Sequence, residues 1–272
     1  MHMLRITNLK KYYGQTRGAE DVSFSVKKGE IFGFIGPNGA GKSTTIRCIM
    51  NLINKDGGSI EFDGKELIKN DVKAYEKIGY LPSEPALYKE LKVIDMLKYN
   101  DSFYGKDTLP KGLAYAQKLQ LDTSKKIGEL SLGNIKKVGI VLSFMQDPKL
   151  VIMDEATSGL DPLMQEEVYK IILDEKNQGT TFLFSSHNLM EVKKLCDTVG
   201  IIKDGRIIKI ASTNSLTTTE AYKVKYIENG EEKSLIYKDD INTLIKELST
   251  KKLDKLLIEE PNLEEIFMHY YE

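Results

Sequence analysis

Nowhere does the sequence stay apolar for the roughly eighteen residues that a membrane-crossing helix needs. Work at a membrane therefore requires a partner chain. Cysteine is scarce too. Cys48 and Cys196 stand far apart, with neither metal-ligand spacing nor the density of a disulfide scaffold. With no leader-like segment at the start, this usage points to the reducing cytosol. Charge of one sign is also missing: 39 Lys and Arg face 40 Asp and Glu. Such a balance offers no field to steer nucleic acid or an anionic membrane surface. The lysine pairs Lys10-Lys11, Lys27-Lys28, Lys136-Lys137, Lys193-Lys194 and Lys251-Lys252 are short and scattered, and read as solvated surface. Only 7 of the 272 residues are proline, and 41% are hydrophobic, which argues for a folded chain with a sizeable core. No internal repeat is visible.

What is present begins with alternation. Leu4 and Ile6, then Val22, Phe24 and Val26, fall two apart with polar residues between them, the period of half-buried strands. Lys28-Gly29-Glu30 turns the chain into Ile31-Phe32-Gly33-Phe34-Ile35, an apolar run suited to a strand buried on both faces. A glycine-rich loop follows. Beyond it, Ile46, Ile49, Met50 and Ile53 lie at i, i+3, i+4 and i+7, one face of a helix. From about residue 84 to 148 apolar positions recur at helical spacing, as in Ile94 and Leu97 or Leu113 and Ala116, which predicts a mostly helical insertion. Strand-like runs return at Leu150-Val151-Ile152-Met153, Thr181-Phe182-Leu183-Phe184 and Val199-Gly200-Ile201-Ile202. Between the first two, Val168, Ile171, Ile172 and Glu175 predict a helix, giving strand–helix–strand order and a parallel sheet. Ser212-Thr213-Asn214-Ser215 and Thr217-Thr218-Thr219 read as a linker. It leads to a small α+β segment whose end places Leu263, Ile266, Phe267 and Tyr270 on one helical stripe, read as packing against its own domain or a second copy.

Two motifs carry chemistry. Gly36-Pro37-Asn38-Gly39-Ala40-Gly41-Lys42-Ser43 fits the phosphate-loop pattern G-x-x-x-x-G-K-[ST], with a strand before it and an amphipathic helix after. Glycines let the backbone wrap closely around phosphate, so that N–H groups and a helix N-terminus face the anion. Lys42 can reach the β- and γ-phosphates, and the Ser43 hydroxyl can ligate Mg²⁺. The second motif is Leu150-Val151-Ile152-Met153-Asp154-Glu155, an apolar strand that delivers two acids at its C-terminal edge, where open α/β sheets bind ligands. Asp154 would hold Mg²⁺ through water, and Glu155 would polarise the water that attacks the γ-phosphate.

Kinases and GTPases share these two motifs. Leu130-Ser131-Leu132-Gly133-Asn134 discriminates: it resembles Leu-Ser-Gly-Gly-Gln, the signature of ATP-binding-cassette ATPases, with Leu132 and Asn134 as departures. The resemblance covers residues 3 to about 212. Ser158-Gly159-Leu160-Asp161 resembles the family's D-loop, and His187, after Ser185-Ser186, its switch histidine that senses the γ-phosphate. Tyr13 resembles the aromatic that stacks on adenine, with Tyr12 as the neighbouring candidate and a structural tyrosine as the bland reading. The family's glutamine after Tyr80-Leu81-Pro82 is absent; Ser83 and Glu84 stand there, and the shorter Ser83 would need water or Glu84 to make the metal contact.

The resemblance implies an α/β fold: a P-loop NTPase core with an N-terminal antiparallel β subdomain, a helical insertion, and a small α+β C-terminal extension. The cassette would span residues 1–212 and the accessory domain 213–272. Catalysis would fall to Glu155, His187 and Lys42, with Ser43 and Asp154 at the metal. Nucleotide would be bound by Tyr13, Gly36, Asn38, Gly39, Ala40, Gly41, Lys42, Ser43 and Thr44 of one copy. Ser131 and Gly133 of a second copy, or of a related cassette, would cover it head to tail, with Asp161 also at the site. Cofactors would be ATP and Mg²⁺. The further partner would be a separate transmembrane permease, with no nucleic acid, and the chain would sit peripherally on the cytoplasmic face of the membrane. Asn262-Leu263-Glu264-Glu265-Ile266-Phe267 and Ser83-Glu84-Pro85-Ala86-Leu87-Tyr88 resemble antibiotic-resistance and lantibiotic-immunity exporters. Ribosome- and DNA-acting cassettes carry two cassettes or long coiled coils, and a small-molecule kinase would lack the Leu130–Asn134 element. A nucleotide-dependent regulator with weak hydrolysis, suggested by Ser83, Leu132 and Asn134, is the alternative.

Overall fold

The computed structural model describes residues 1–105, 107–217, 222–228, 230–237 and 240–259. The helical stripe from Leu263 to Tyr270 and the Asn262–Phe267 motif lie outside the described residues. The chain divides into two compact units, Met1–Ile210 and Ala211–Glu272.

In the first unit, long alternating strands pair as the period-2 pattern predicts. β1 (His2–Tyr13) runs antiparallel to β2 (Thr16–Lys27), pairing Leu4 with Val26, Ile6 with Phe24 and Leu9 with Val22. The alternate apolar residues of both strands are buried, so one face of this ribbon joins the core. β3 (Ile31–Ile35) is buried along its whole length, and α1 (Lys42–Ile49) follows the glycine-rich loop. β4 (Gly57–Phe62) and β5 (Lys65–Glu66) extend the antiparallel side. After the short α2 (Val72–Tyr75), β6 (Ile78–Leu81) enters the parallel side.

The insertion is helical. α3 (Val93–Asp101), α4 (Leu109–Lys118) and α5 (Leu132–Phe144) carry it, with a 3₁₀ turn at Ile127–Glu129. β7 (Leu150–Asp154), α6 (Pro162–Asn177), β8 (Thr181–Ser186), α7 (Leu189–Leu195), β9 (Thr198–Lys203) and β10 (Arg206–Ser212) complete the sheet. Its strand order is β5-β4-β1-β2-β10-β9-β3-β8-β7-β6. β9, β3, β8, β7 and β6 are mutually parallel, so their C-terminal ends share one edge. Phe24 stacks on Phe32 with ring centroids 5.0 Å apart, joining the antiparallel and parallel parts in one apolar core.

Two expectations need correcting. Lys136 and Lys137 are not solvated surface: they are only 6% and 9% exposed. They sit on α5 just before Val138-Gly139-Ile140-Val141, and a helix that is apolar nearly all round is buried. The stretch after Ser212 does not begin as irregular linker either, since Thr213–Thr217 forms a helical turn, α8. The Ser212 hydroxyl accepts the Ser215 N–H at 3.1 Å, the capping geometry that starts a helix at a serine.

The second unit holds a three-stranded antiparallel sheet, in which β11 (Tyr222–Glu228) lies between β12 (Glu231–Tyr237) and β13 (Leu253–Glu259). α9 (Ile241–Ser249) packs Leu244 and Leu248 against Val224 and Tyr226.

Candidate functional site

The end of β3 feeds a loop that only glycine can make. Gly41 has φ 105°, and a Cβ there would come within 2.4 Å of the Gly18 carbonyl oxygen. At Gly36, a Cβ would lie 2.5 Å from the Ile202 carbonyl oxygen. Glycine at both places lets the loop fold between β2 and β9 and return into α1. Asn38, Gly39 and Ala40 form its tip, with the Ala40 N–H donating to the Pro37 carbonyl at 3.1 Å. The Lys42 ammonium is buried and donates to the carbonyls of Gly36 at 2.6 Å and Pro37 at 3.1 Å, spanning the loop. Burial pulls its pKa below the usual lysine value, opposed by the carboxylates of Glu155 and Asp154. Those two acids therefore face the loop. Ser43 and Thr44 are half-buried in the first turn of α1.

Asp154 ends β7 fully buried and accepts a hydrogen bond from the Ser185 hydroxyl of β8. Glu155 turns out of the strand at φ 50°, a left-handed conformation unusual for a side-chain-bearing residue. Its N–H donates to the Ser185 carbonyl at 3.1 Å. His187, just past β8, places Nδ1 3.3 Å from Oε1 of Glu155. The structure thus brings Lys42, Asp154, Glu155 and His187 together at the C-terminal edge of the parallel strands, where α/β sheets bind ligands. Among the described residues, no three His, Cys, Asp or Glu side chains gather into a metal site. A hydroxyl and a carboxylate, Ser43 and Asp154, are hard oxygen donors of the kind Mg²⁺ takes beside phosphate and water.

Ser131 caps α5, its hydroxyl accepting the Asn134 N–H at 3.4 Å, and stands exposed beside Leu132. Gly133 faces the Ser158–Asp161 loop: a Cβ there would lie 3.2 Å from the Gly159 carbonyl oxygen. Among the described residues, no hydrogen bond joins Ser131 or Gly133 to Gly36–Ser43. The Asp161 carboxylate is engaged as a helix cap, accepting the Met164 N–H at 3.0 Å ahead of Pro162. Tyr13 is exposed near the loop. Gly18 separates its ring from Thr44, since a Cβ on Gly18 would lie 2.8 Å from each side chain. Tyr12 is exposed as well, and its backbone N–H donates to Asp56 at 2.6 Å. Ser83 is half-buried and Glu84 exposed, with the Glu84 charge facing the ammonium of Lys136.

Three residues of the site escaped the sequence reading. Ser185 holds both acids. Buried Glu191 accepts from Thr157, from Ser186 at 2.7 Å and from Tyr169 at 3.0 Å, bracing the loops on either side of His187. Lys136 reaches the Glu155 carbonyl. Ser185-Ser186 and Glu191 flank His187 in sequence, and Lys136 lies five residues after Ser131; proximity to motif residues was the available signal.

A family model described as "ABC transporter" matches residues 19–158, just over half the chain. The chain belongs to the ATP-binding-cassette transporter family. A second model, described as "AAA domain, putative AbiEii toxin, Type IV TA system", matches residues 126–192. An uncharacterized ABC transporter ATP-binding protein of Methanocaldococcus jannaschii is 35% identical over 271 residues, 94% of this chain and 98% of the relative. A lantibiotic transport ATP-binding protein of Streptococcus pyogenes is 40% identical over 210 residues, 76% of this chain and 89% of the relative. A solved structure titled as the ATP-binding subunit of an ABC transporter superposes with TM-score 0.74 at 30% identity, covering 79% of this chain and 91% of that one. The fold is the P-loop NTPase cassette that the sequence predicts. As a member of this family, the chain is the ATP-binding subunit of an ABC transporter.

Proposed function

We propose that the chain drives export through a separate transmembrane permease by closing and opening a head-to-tail dimer around ATP. The Glu155–His187 contact at 3.3 Å, beside the Gly36–Ser43 loop, carries this reading. The phosphates lie on the loop N–H groups and the N-terminus of α1, with the Lys42 ammonium moved from the loop carbonyls onto them. Adenine stacks on Tyr13, close to Thr44. Ser43 and Asp154 would hold Mg²⁺, which would supply positive charge beside the phosphates. Glu155 polarises the attacking water, and His187 holds the γ-phosphate side of the site through its contact with Glu155. Ser131 and Gly133, with the N-terminus of α5, cover the γ-phosphate of the partner copy.

Among the described residues, no helix is long and apolar enough to cross a membrane. A membrane partner fits the helical insertion, where exposed Tyr88, Tyr99 and Phe103 form an edge-to-face ladder with centroids 5.8 and 4.9 Å apart. Exposed aromatics in contact mark interaction surfaces. This one lies close in sequence to Ser83-Glu84 and supports a peripheral position of the cassette against the permease, on the cytoplasmic face. Export is supported by the relative named for lantibiotic transport. The motor is assigned to residues 1–212 and an accessory role to 213–272.

Ser131→Arg puts a bulky cation where the partner's phosphate would meet a hydroxyl and a helix N-terminus. The expected result is an ATPase rate about 10²-fold lower, with ATP still bound at Gly36–Ser43. Wild-type turnover in this variant would refute the composite site.

A further inference from the structure

The carbonyl of Glu155 is a meeting point. The Lys136 ammonium, from α5, donates to it at 2.8 Å and to the Ser158 carbonyl at 3.0 Å. The Ser158 N–H donates to the same Glu155 carbonyl at 3.3 Å. On its other side, Glu155 is held by the Ser185 bonds to its N–H. Further along, Gln165 donates to the carbonyls of Thr157 at 3.3 Å and Leu160 at 3.2 Å. Glu155 therefore keeps its left-handed backbone, a strained conformation that persists only where the surroundings fix it. Among the described residues, Lys136 is the one side chain of the insertion that bonds to this carbonyl.

We propose that Lys136 is a positioning residue for ATP hydrolysis: it fixes the aim of the Glu155 carboxylate and the course of the Glu155–Ser158 turn. The helix that carries Ser131 at its N-terminus thereby also holds the catalytic turn of its own chain. Lys136 lies five positions after Ser131, about 7.5 Å along a helix axis. A shift of α5 as Ser131 meets the partner's nucleotide is thus delivered directly to Glu155. The surroundings support a dedicated role. Burial lowers the pKa of Lys136, and the charges of Glu155, Asp154, Glu84 and Glu191 oppose that shift. An apolar side chain of similar length would fill the same space without that desolvation cost.

The inference rests on Glu155 being the group that polarises water, and the test separates the two. Lys136→Met, Lys136→Arg and Glu155→Gln are compared with the wild-type chain by steady-state ATPase kinetics and by amide hydrogen exchange over residues 154–160. For Lys136→Met, kcat falls about 30-fold while KM for ATP stays within about twofold, as expected when reacting groups are misplaced but binding is intact. The amides of Glu155, Ser158 and Leu160 exchange about tenfold faster, while those of β7 stay protected. Lys136→Arg restores both readouts, because its guanidinium reaches the same carbonyls. Wild-type kcat and exchange in Lys136→Met would overturn the inference, as would a loss confined to KM. Equal losses in the Met and Arg variants, or a Met variant that does not fold, would overturn it in favour of packing. A Glu155→Gln chain that turns over normally would instead remove the Glu155 assignment, whatever Lys136 does.

Discussion

Glu155→Gln lowers ATP turnover by about 10²- to 10⁴-fold and leaves ATP bound, the size of effect a positioned general base supplies. The substitution is nearly isosteric, so the backbone bonds to Ser185 and Lys136 and the left-handed turn at φ 50° persist. Only the proton-accepting charge is lost. The Nδ1 of His187, 3.3 Å from Oε1, still finds an acceptor in the amide carbonyl. Binding should therefore survive chemistry, and the variant should accumulate as ATP-bound dimers that chromatography separates from monomers. Single-turnover kinetics would measure the loss at the chemical step, apart from product release. Unchanged turnover would move the catalytic role away from Glu155.

Lys42→Met lowers kcat/KM by about 10³-fold, since it removes a buried cation from where negative charge develops on the phosphates. ATP affinity, read by calorimetry, falls with it by about 10- to 100-fold, in line with loss of a charged hydrogen bond. Stability moves the other way. Burial already lowers the pKa of Lys42, and its bonds go to the carbonyls of Gly36 and Pro37. An apolar side chain of similar reach removes that desolvation cost, so the ligand-free melting temperature holds or rises. Normal ATP affinity in this variant would contradict the phosphate-loop reading.

The sequence carried the catalytic edge of the sheet well, because there local pattern and global fold agree. Ile31–Ile35, Leu150–Met153 and Thr181–Phe184 are apolar runs with little room for another reading, and each leads into a segment that holds candidate site residues. The conformation that aims Glu155 was not legible: φ 50° follows from bonds to Ser185 and Lys136, some 30 and 19 residues away. Lys136 itself was misread because a lysine pair suggests a wet surface, while α5 packs against α3, α4 and β6 and the ammonium turns onto the Glu155 and Ser158 carbonyls. Tyr12 and Tyr13 could not be separated by type. The structure leaves both rings exposed and sets Tyr13 across Gly18 from Thr44. The short helix Thr213–Thr217 was hidden by its composition, since serine and threonine signal a helix cap and a loop equally well.

The most direct measurement of the composite site mixes two inactive chains. Ser131→Arg keeps an intact Glu155 and phosphate loop, and Glu155→Gln keeps an intact Ser131. If each site draws on both copies, a mixed dimer rebuilds one complete site, and the mixture hydrolyses ATP at a rate neither variant shows alone. If the site lies within one chain, the mixture stays as inactive as its components, and the head-to-tail account fails.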